Sequence, residues 1–359
     1  MKSFDEIFVD KTKYGVKVQT TEYGEVGEHI IIDQGQSQIA GYTDRQEGLF
    51  EEVPVVIFGD HTRVIKYVDE PFFLGADGVK VLRSKDDNAN YKYLYYALKN
   101  ARIPDTGYNR HFKWLKEVQI NYPDSDKQAE IVDILDNVSS VIKKREDELC
   151  VLDDLIKARF VEMFGDPVSN SYGLPEATLP ELGEFGRGIS KHRPRNDPKL
   201  LGGGYPLIQT GDVANAGLYI TSYNSTYSEL GLRQSKMWKK GTLCITIAAN
   251  IAKTAILTFD ACFPDSVVGF TANEKTNNIF IHYWFLFFQT ILESQAPESA
   301  QKNINLKILS ELRVIVPKKE KQDEFVDFIH QVDKSKVVVQ KALDETQILF
   351  NSLMQQYFG

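Results

Sequence analysis

The chain has 359 residues, 42% of them hydrophobic and 11% aromatic, which suits two or three domains with apolar cores. Its 42 basic and 50 acidic residues give a formal net charge of −8, which excludes a simple polycation that coats nucleic acid. The three cysteines have no paired spacing, which argues against a disulfide scaffold and a four-cysteine zinc site. No signal peptide or bilayer-length apolar run is visible, so we expect a cytoplasmic protein with no membrane partner.

Residues 1–124 alternate short apolar segments with polar loops, which predicts a mixed α/β domain with more strand than helix. The predicted strands are residues 30–32, 55–58, 64–68 and 79–82, and the predicted helix is 91–100. Glutamine can read adenine edges, arginine can read guanine, and basic groups bind phosphates. The candidate DNA-contacting residues of this half are Gln34, Gln36, Gln38, Arg45, His61, Arg63, Lys66, Arg110 and Lys113. An ordinary solvated polar surface would show a similar pattern.

Residues 125–165 are predicted to form a long helix, because apolar residues recur at alternating four- and three-residue steps. Pro123 suits the entry of a helix and Gly165 its end. A helix over residues 126–164 would be about 58 Å long. The seam consists of Ile131, Leu135, Val138, Ile142, Leu149, Leu152, Ile156 and Met163, with Arg145 and Arg159 interrupting it.

Residues 166–315 predict a second mixed α/β domain. Its predicted strands are 207–208, 243–247, 255–259 and 267–270, and its predicted buried helix is 279–292. Two clusters of basic residues, 187–199 and 233–253, fall on loops rich in Gly, Pro and Asn. Such groups usually contact phosphates, although a solvated loop with ordinary surface lysines is the alternative. The candidate DNA-contacting residues of this half are Lys191, Arg193, Arg195, Arg233, Lys236, Lys239, Lys240, Asn250, Lys253, Lys302 and Asn303.

Residues 316–359 predict a second long helix with a seam of the same spacing. Pro317 stands at its entry and Gly359 at its end. Because neither seam can stay exposed, we expect each long helix to pack on the other. The second seam consists of Phe325, Ile329, Val332, Val339, Leu343, Phe350, Leu353 and Tyr357, with Lys336 and Thr346 interrupting it.

The two helical segments are copies of each other. From Leu115 onward the chain matches the segment from Leu309 at a constant offset of 194 residues, without a gap. Both copies end in Phe-Gly. The chain therefore consists of two similar halves, a pseudo-two-fold arrangement that suits a two-part target. One difference is that the basic cluster 187–199 has no full counterpart near the start of the chain, where DNA contacts are correspondingly less expected.

Motifs for catalysis are missing from the sequence. No Gly-Lys pair occurs, which excludes a Walker A loop, and no Pro-Pro pair occurs, which excludes the Pro-Pro motif of aminomethyltransferases. The six histidines form no metal-binding pair, so no metal site is predicted. Cys244 and Cys262 lie in apolar segments and are expected in the core. We therefore expect a recognition module without catalytic residues.

The chain resembles the specificity subunit of type I restriction-modification systems over nearly its whole length. In the second half the resemblance rests on YPLIQTGDV at 205–213, GTLCITIAANI at 241–251 and QKNI at 301–304. In the first half it rests on IFGDHTR at 57–63 and GADGV at 75–79. Between the halves, KARF at 157–160 and MFGDP at 163–167 look like the end of the family's first long helix.

The resemblance implies two target-recognition domains, 1–124 and 166–315, and two conserved helices, 125–165 and 316–359, that form an antiparallel coiled coil. Each domain would bind half of a split site in double-stranded DNA. Two methylation subunits would dock on the helices, and motor/nuclease subunits could join the complex. S-adenosylmethionine, ATP and Mg would be bound by those partners and no cofactor by this chain. Half-sites one DNA turn apart require domains about 34 Å apart, which the predicted helices can span.

Two other classes of function stay open on the residues alone. In the first, the helices would hold protein partners and the globular domains would bind protein, as a coiled-coil adaptor without sequence-specific DNA binding. In the second, the chain would be a stand-alone nuclease or methyltransferase, which the missing motifs make a poor fit. Loss of DNA binding on charge reversal at Lys239 and Lys240 would separate the recognition subunit from the adaptor.

Overall fold

The computed structural model describes residues 1–75, 77–295 and 304–359. The chain divides into two compact units. Unit 1 comprises Met1–Asp147 with Val339–Gly359, and unit 2 comprises Glu148–Val338. Each unit therefore contains one globular part of the chain and a segment of each long helix.

Unit 1 is built on two larger β-sheets and a two-stranded antiparallel sheet. Its elements are β1 (Lys2–Ser3), α1 (Phe4–Ile7), β2 (Phe8–Asp10), β3 (His29–Ile32), β4 (Gly41–Thr43), β5 (Val55–Gly59), β6 (Ile65–Val68), β7 (Phe72–Leu74), β8 (Val79–Ser84), α2 (Tyr91–Lys99), α3 (Phe112–Leu115), β9 (Gln119–Ile120) and the first part, up to Asp147, of α4 (Ser125–Phe164). Strands β1 and β9 form the two-stranded sheet. The four-stranded antiparallel sheet has the order β2-β8-β5-β6. The three-stranded sheet has the order β4-β3-β7, with β3 and β7 parallel. All of β5 is buried, as expected for a central strand covered on both faces.

Unit 2 repeats this plan with additional strands. Its elements are β10 (Glu176–Thr178), α5 (Leu179–Leu182), β11 (Gly183–Arg187), β12 (Leu201–Leu207), α6 (Thr210–Ala214), β13 (Tyr219–Ile220), β14 (Ser225–Tyr227), α7 (Glu229–Arg233), β15 (Met237–Trp238), β16 (Leu243–Thr246), β17 (Thr254–Leu257), β18 (Ala261–Cys262), β19 (Val267–Ala272), α8 (Asn278–Gln295), α9 (Leu306–Glu311), β20 (Arg313–Ile315) and the first part, up to Val338, of α10 (Lys319–Phe358). The larger sheet has the order β11-β19-β16-β17-β13, and the smaller has β14-β12-β18-β15.

The topology of the two units matches strand by strand. The order β2-β8-β5-β6 corresponds to β11-β19-β16-β17, and β4-β3-β7 corresponds to β14-β12-β18. The parallel pair recurs as well, because β12 and β18 are parallel like β3 and β7. The predicted mixed α/β fold with an internal repeat is therefore confirmed, and the duplication extends through both globular parts.

One strand is longer than the sequence predicted. The prediction placed a strand at 207–208, whereas β12 runs over Leu201–Leu207 and includes three consecutive glycines. Its pairing with β14 shifts register between Leu201 and Tyr205. Gly202 has a φ of +82° within this irregularity, which glycine adopts without steric cost. Glycine has a low strand propensity, so the sequence did not predict residues 201–206 as part of a strand.

The predicted seams of α4 and α10 are all buried or half-buried. Two of the charged interruptions pair across the helices in unit 2. Arg159 lies 3.5 Å from Glu324, and Lys336 forms an ion pair with Asp153. Because the residue order rises along α4 and falls along α10, the two helices are antiparallel there. In unit 1, Leu135 and Phe350 belong to one apolar core. No helix within the three described ranges is long and apolar enough to cross a membrane.

Candidate nucleic-acid interface

Three of the nine predicted residues of unit 1 lie where the β5–β6 hairpin turns or on a segment bonded to that turn. The turn is closed by Arg63 N, which donates to Gly59 O at 2.7 Å. Two other segments bond to the same turn. Asp60 N donates to Gly78 O at 2.7 Å, just before β8, and His111 N donates to Asp60 O at 2.8 Å, just before α3. We call this end of the sheet, formed by residues 60–64, 77–78 and 108–111, the turn edge of unit 1.

Unit 2 has the same hydrogen bonds at the β16–β17 hairpin. Ala252 N donates to Thr246 O at 2.9 Å and closes the turn. Ile247 N donates to Ser266 O at 3.0 Å, just before β19, and Ile304 N donates to Ile247 O at 3.0 Å, just before α9. Residues 247–253, 265–266 and 304 therefore form the turn edge of unit 2, equivalent to that of unit 1.

The turn edge of unit 1 carries three of the predicted DNA-contacting residues. The His61 ring stacks on the Tyr108 ring, with centroids 4.8 Å apart and planes within 9°. Tyr108 is 89% exposed, so this stack presents an aromatic surface to solvent. Arg63 Nη2 lies 2.7 Å from Asp105 Oδ2. Arg110 is exposed two residues after Tyr108.

Two predicted contact residues of unit 1 have internal partners. Gln34 Nε2 donates to Asp77 O at 2.9 Å, and its Oε1 accepts from His61 N at 3.1 Å. Lys66 is only 2% exposed, and its Nζ donates to Ser37 O at 2.6 Å. Burial lowers the pKa of Lys66, and the nearby Asp33 carboxylate opposes that effect. Lys66 is therefore corrected from a DNA contact to a residue that holds the 33–38 loop, and Gln34 joins that loop to the turn edge.

The other predicted residues of unit 1 lie apart from the turn. Gln36 and Gln38 are exposed, and Gln38 Nε2 donates to Tyr67 O at 2.7 Å. Arg45 is exposed after β4, at the end of β3 opposite to the 33–38 loop. Lys113 is exposed on α3, with its Nζ 4.1 Å from the centre of the Trp114 ring.

In unit 2 an arginine cluster surrounds Asp265. Arg193 Nη2 lies 3.3 Å from Asp265 Oδ2, Arg195 forms an ion pair with the other oxygen, and Arg187 Nε donates to the Asp265 carbonyl at 2.9 Å. The loop that carries Arg193 and Arg195 is fixed by Gln234, whose Oε1 accepts from Lys191 N at 2.7 Å. Three guanidinium groups thus meet at one aspartate.

The remaining predicted residues near the turn of unit 2 lie on it or next to it in sequence. Asn250 is exposed and Lys253 half-buried within the hairpin turn. Lys302 and Asn303 lie outside the described residues. They directly precede Ile304, whose backbone bonds to the turn.

The structure divides the predicted basic cluster 233–253 between two ends of the sheet. Lys239 and Lys240 precede β16, whereas Asn250 and Lys253 follow it. At their end, Lys239 Nζ lies 2.8 Å from Asp260 Oδ2, and Lys240 N donates to Asp260 Oδ1 at 2.8 Å. These two lysines therefore do not belong to the turn edge.

Arg233 and Lys236 are the two remaining predicted residues of this cluster. Arg233 is exposed at the end of α7. Lys236 pairs with Glu184 at 2.9 Å, and its Nζ lies 3.7 Å from the centre of the Trp238 ring.

The sequence did not single out four residues at or beside the turn edges. They are Tyr108, Asp77, Lys17, which forms an ion pair with Asp77, and Asp265, which pairs with the arginines described above. A signal was present, since each aspartate stands two residues before the valine that opens β8 or β19. Among the described residues, no group of three or more His, Cys, Asp or Glu side chains is placed to hold a metal ion.

Comparison with known proteins identifies the two globular parts. A sequence profile of the type I restriction modification DNA specificity domain matches residues 9–150 and again residues 176–346. The chain belongs to the type I restriction-modification DNA specificity family. The two matched regions, which we call the specificity domains, correspond to the two halves of the repeat.

Relatives agree with this assignment. A type I restriction enzyme specificity subunit of Escherichia coli is 30% identical over 151 residues, which is 38% of this chain and 37% of that protein. A protein assigned as such a subunit in Methanocaldococcus jannaschii is 21% identical over 319 residues, which is 85% of this chain and 70% of that protein.

Two solved structures share the fold. The S subunit of a type I system from M. genitalium aligns over 100% of this chain and 95% of its own, with a TM-score of 0.56 and 16% identity. A chain of a type I system studied for complex assembly aligns over 99% of this chain and 96% of its own, with a TM-score of 0.59 and 15% identity.

Proposed function

We propose that each specificity domain binds one half of a bipartite site in double-stranded DNA through its turn edge. The observation that carries this proposal is the recurrence of the same hydrogen-bonded turn edge in both units, each with basic side chains around it. Two similar recognition domains suit a target with two parts. Because both domains belong to one chain, the second binding event is intramolecular, and two weak interactions together give a higher overall affinity.

The side chains at the turn edges have the chemistry for both parts of DNA recognition. Arginine forks bind guanine edges or phosphates in a bidentate manner, and asparagine can read adenine. In unit 2 these would be Arg193, Arg195 and Asn250. In unit 1, Arg63 and Arg110 would bind DNA next to the stacked His61–Tyr108 rings. The net charge of −8 is compatible with this function because the positive groups are concentrated locally.

The long helices are proposed to hold partner proteins while this chain itself performs no catalysis. Valines 151, 337 and 338 of α4 and α10 in unit 2 are each more than 60% exposed. Apolar side chains in such positions often mark protein interfaces. The partners would be two methylation subunits with S-adenosylmethionine and motor/nuclease subunits with ATP and Mg, in the cytoplasm. Extraction of the target adenine from the duplex would then occur on the partner.

A domain exchange tests the proposal. In a complex assembled with methylation subunits, residues 166–315 are replaced by the corresponding domain of another family member, and the methylated sites are sequenced. We expect one half-site to change while the other half-site stays the same. A complex that assembles but methylates no defined sequence would instead support the coiled-coil adaptor.

A further inference from the structure

Asp77 and Asp265 occupy the same position in the two units. Each stands two residues before the first residue of an equivalent strand, Val79 of β8 and Val267 of β19. The residue after each aspartate accepts the hydrogen bond from the hairpin turn, at 2.7 Å from Asp60 N and 3.0 Å from Ile247 N. The two carboxylates therefore lie at equivalent places on the two turn edges.

Both carboxylates hold basic side chains from the same loop of the repeat, the one that follows the first strand of the larger sheet. In unit 1 that loop follows β2 and supplies Lys17, which forms an ion pair with Asp77. In unit 2 it follows β11 and supplies Arg193 and Arg195, which pair with Asp265. The basic loop of unit 2 therefore has a counterpart in unit 1 that carries fewer basic residues.

The electrostatics of the first site fit this arrangement. The hydrogen bond and charge of Lys17 lower the pKa of Asp77, and the charge of Arg110 lowers it further. Arg110 is exposed on the segment that bonds to the same turn. Asp77 thus stays ionised between cations from two different segments.

In the second site the arginines are fixed but retain donors. Arg193 Nη1 donates to Ser190 O at 2.5 Å and His192 O at 2.9 Å, while its Nη2 pairs with Asp265. The side chains of Arg193 and Arg195 are nevertheless 53% and 46% exposed. A guanidinium has five N–H donors, so these groups keep N–H donors for a ligand while their conformational entropy is already reduced.

We propose, resting on the proposed function, that Asp77 and Asp265 are equivalent positioning residues for the two DNA half-sites. Each carboxylate orients basic side chains at its own turn edge, and each thereby sets sequence discrimination in one half-site. The aspartates are not proposed to bind the DNA backbone themselves, because a carboxylate and a phosphate repel each other. Their effect passes through Lys17 in unit 1 and through Arg193 and Arg195 in unit 2.

Replacing the carboxylate should have two opposite effects. In Asp265→Asn the arginines lose their orienting ion pairs, so discrimination between correct and incorrect bases falls. The same substitution removes a negative charge near the DNA, so sequence-independent binding rises and becomes more dependent on salt. A fold defect would instead lower both kinds of binding, which distinguishes positioning from a structural role.

The test uses the assembled methylation complex with Asp77→Asn and Asp265→Asn variants. Binding is measured against a library in which each half-site is randomised separately and against nonspecific duplex over a range of salt concentrations. We expect Asp265→Asn to reduce discrimination at one half-site by about fivefold to a hundredfold and Asp77→Asn to do so at the other. The slope of log affinity against log salt should become steeper by about 1 in each variant.

Two controls accompany these variants. Asp260→Asn removes a carboxylate that pairs with Lys239 at the opposite end of the sheet, and it should leave both half-sites unchanged. Asp265→Glu keeps the charge and should retain most of the discrimination. If Asp265→Asn does not fold, the Arg193→Gln/Arg195→Gln double variant removes the groups that Asp265 orients and should lose discrimination at the same half-site.

The outcomes separate the two proposals. A wild-type complex without a bipartite preference would overturn the proposed function itself. A wild-type complex with that preference, together with aspartate variants that leave both half-sites unchanged or weaken both equally, would overturn only the positioning role.

Discussion

Gln128 and Gln322 make the same hydrogen bond in the two copies of the repeat. The side-chain Nε2 of Gln128 donates to Pro123 O at 2.8 Å, and that of Gln322 donates to Pro317 O at 2.9 Å. Both side chains are buried at the first turn of a long helix. Each glutamine thereby fixes the direction in which its helix leaves the globular part of its unit.

Gln322→Ala is expected to destabilise unit 2. Gln322 is fully buried and also accepts from Thr276 Oγ1 at 2.8 Å and donates to Lys275 O at 3.0 Å. Because the substitution leaves buried polar groups unpaired, we expect a loss of about 1–3 kcal/mol in the free energy of unfolding, measured by denaturant titration. Gln340→Ala, at an exposed position of the same helix, should cost less than about 0.5 kcal/mol. Equal effects of the two substitutions would contradict this assignment.

Phe160 is the aromatic centre of the unit 2 core. Its ring lies within 5.5 Å of the Phe164, Phe280 and Phe325 rings, and the side chain is fully buried. Phe160→Ala should therefore reduce the unfolding free energy by about 3–5 kcal/mol. The neighbouring Val161 is 38% exposed, and Val161→Ala is the matched control with a cost below about 1 kcal/mol. A small effect at Phe160 would show that the helix does not pack as described.

His282 predicts a pH dependence of stability in unit 2. It is buried beside Thr254, with its Nδ1 2.9 Å from Thr254 Oγ1, and burial lowers its pKa from 6.5 to about 4. Between about pH 6.5 and pH 4, His282 is therefore protonated in the unfolded chain but largely neutral in the folded chain. This group alone removes up to about 3 kcal/mol of stability as the pH falls from about 6.5 to 4.

The measurement is the unfolding free energy of the wild type and of His282→Gln between pH 4.5 and 8. We expect the difference between their unfolding free energies to be constant above pH 7. Below pH 6.5 the wild type should lose stability relative to His282→Gln. Parallel curves over the whole range would show that His282 is accessible to protons in the folded state.

Lys66 and Arg110 are expected to differ in DNA binding although both are basic residues of unit 1. Arg110 is exposed, so Arg110→Ala should reduce the salt dependence of DNA binding by about one ion. Lys66 is buried against Ser37 O, so Lys66→Met should leave that slope unchanged. Affinity measured as a function of salt concentration in the assembled complex distinguishes the two. An equal change in both variants would restore Lys66 as a phosphate contact.

The two-fold repeat and the two long helices could be predicted because they depend on regular spacing of residues along the sequence. The offset between Gln128 and Gln322 is preserved without a gap, and the seams from Ile131 and Phe325 follow heptad steps that survive any loop variation. The long helices and the longer central strands follow for the same reason, since apolar periodicity is a local signal, whereas short strands such as β4 and β7 were not predicted.

The site was less predictable because it depends on loops of unequal length. Asp77 and Asp265 are separated by 188 residues, not by the 194 of the helical repeat, so a constant offset does not align them. Composition made Lys66 resemble a phosphate contact, whereas its burial follows from the fold of the 33–38 loop above it. Lys239 and Lys253 belong to one basic cluster in sequence, yet β16 and β17 place them at opposite ends of the sheet.

We propose that one chain recognises two DNA half-sites, one with each specificity domain. The most direct test is to co-express the chain with candidate methylation subunits and to map N6-methyladenine across the genome of the host. We expect one bipartite motif with a fixed gap between its two parts. Methylation at a single uninterrupted motif, or a formed complex that methylates no defined sequence, would contradict this proposal.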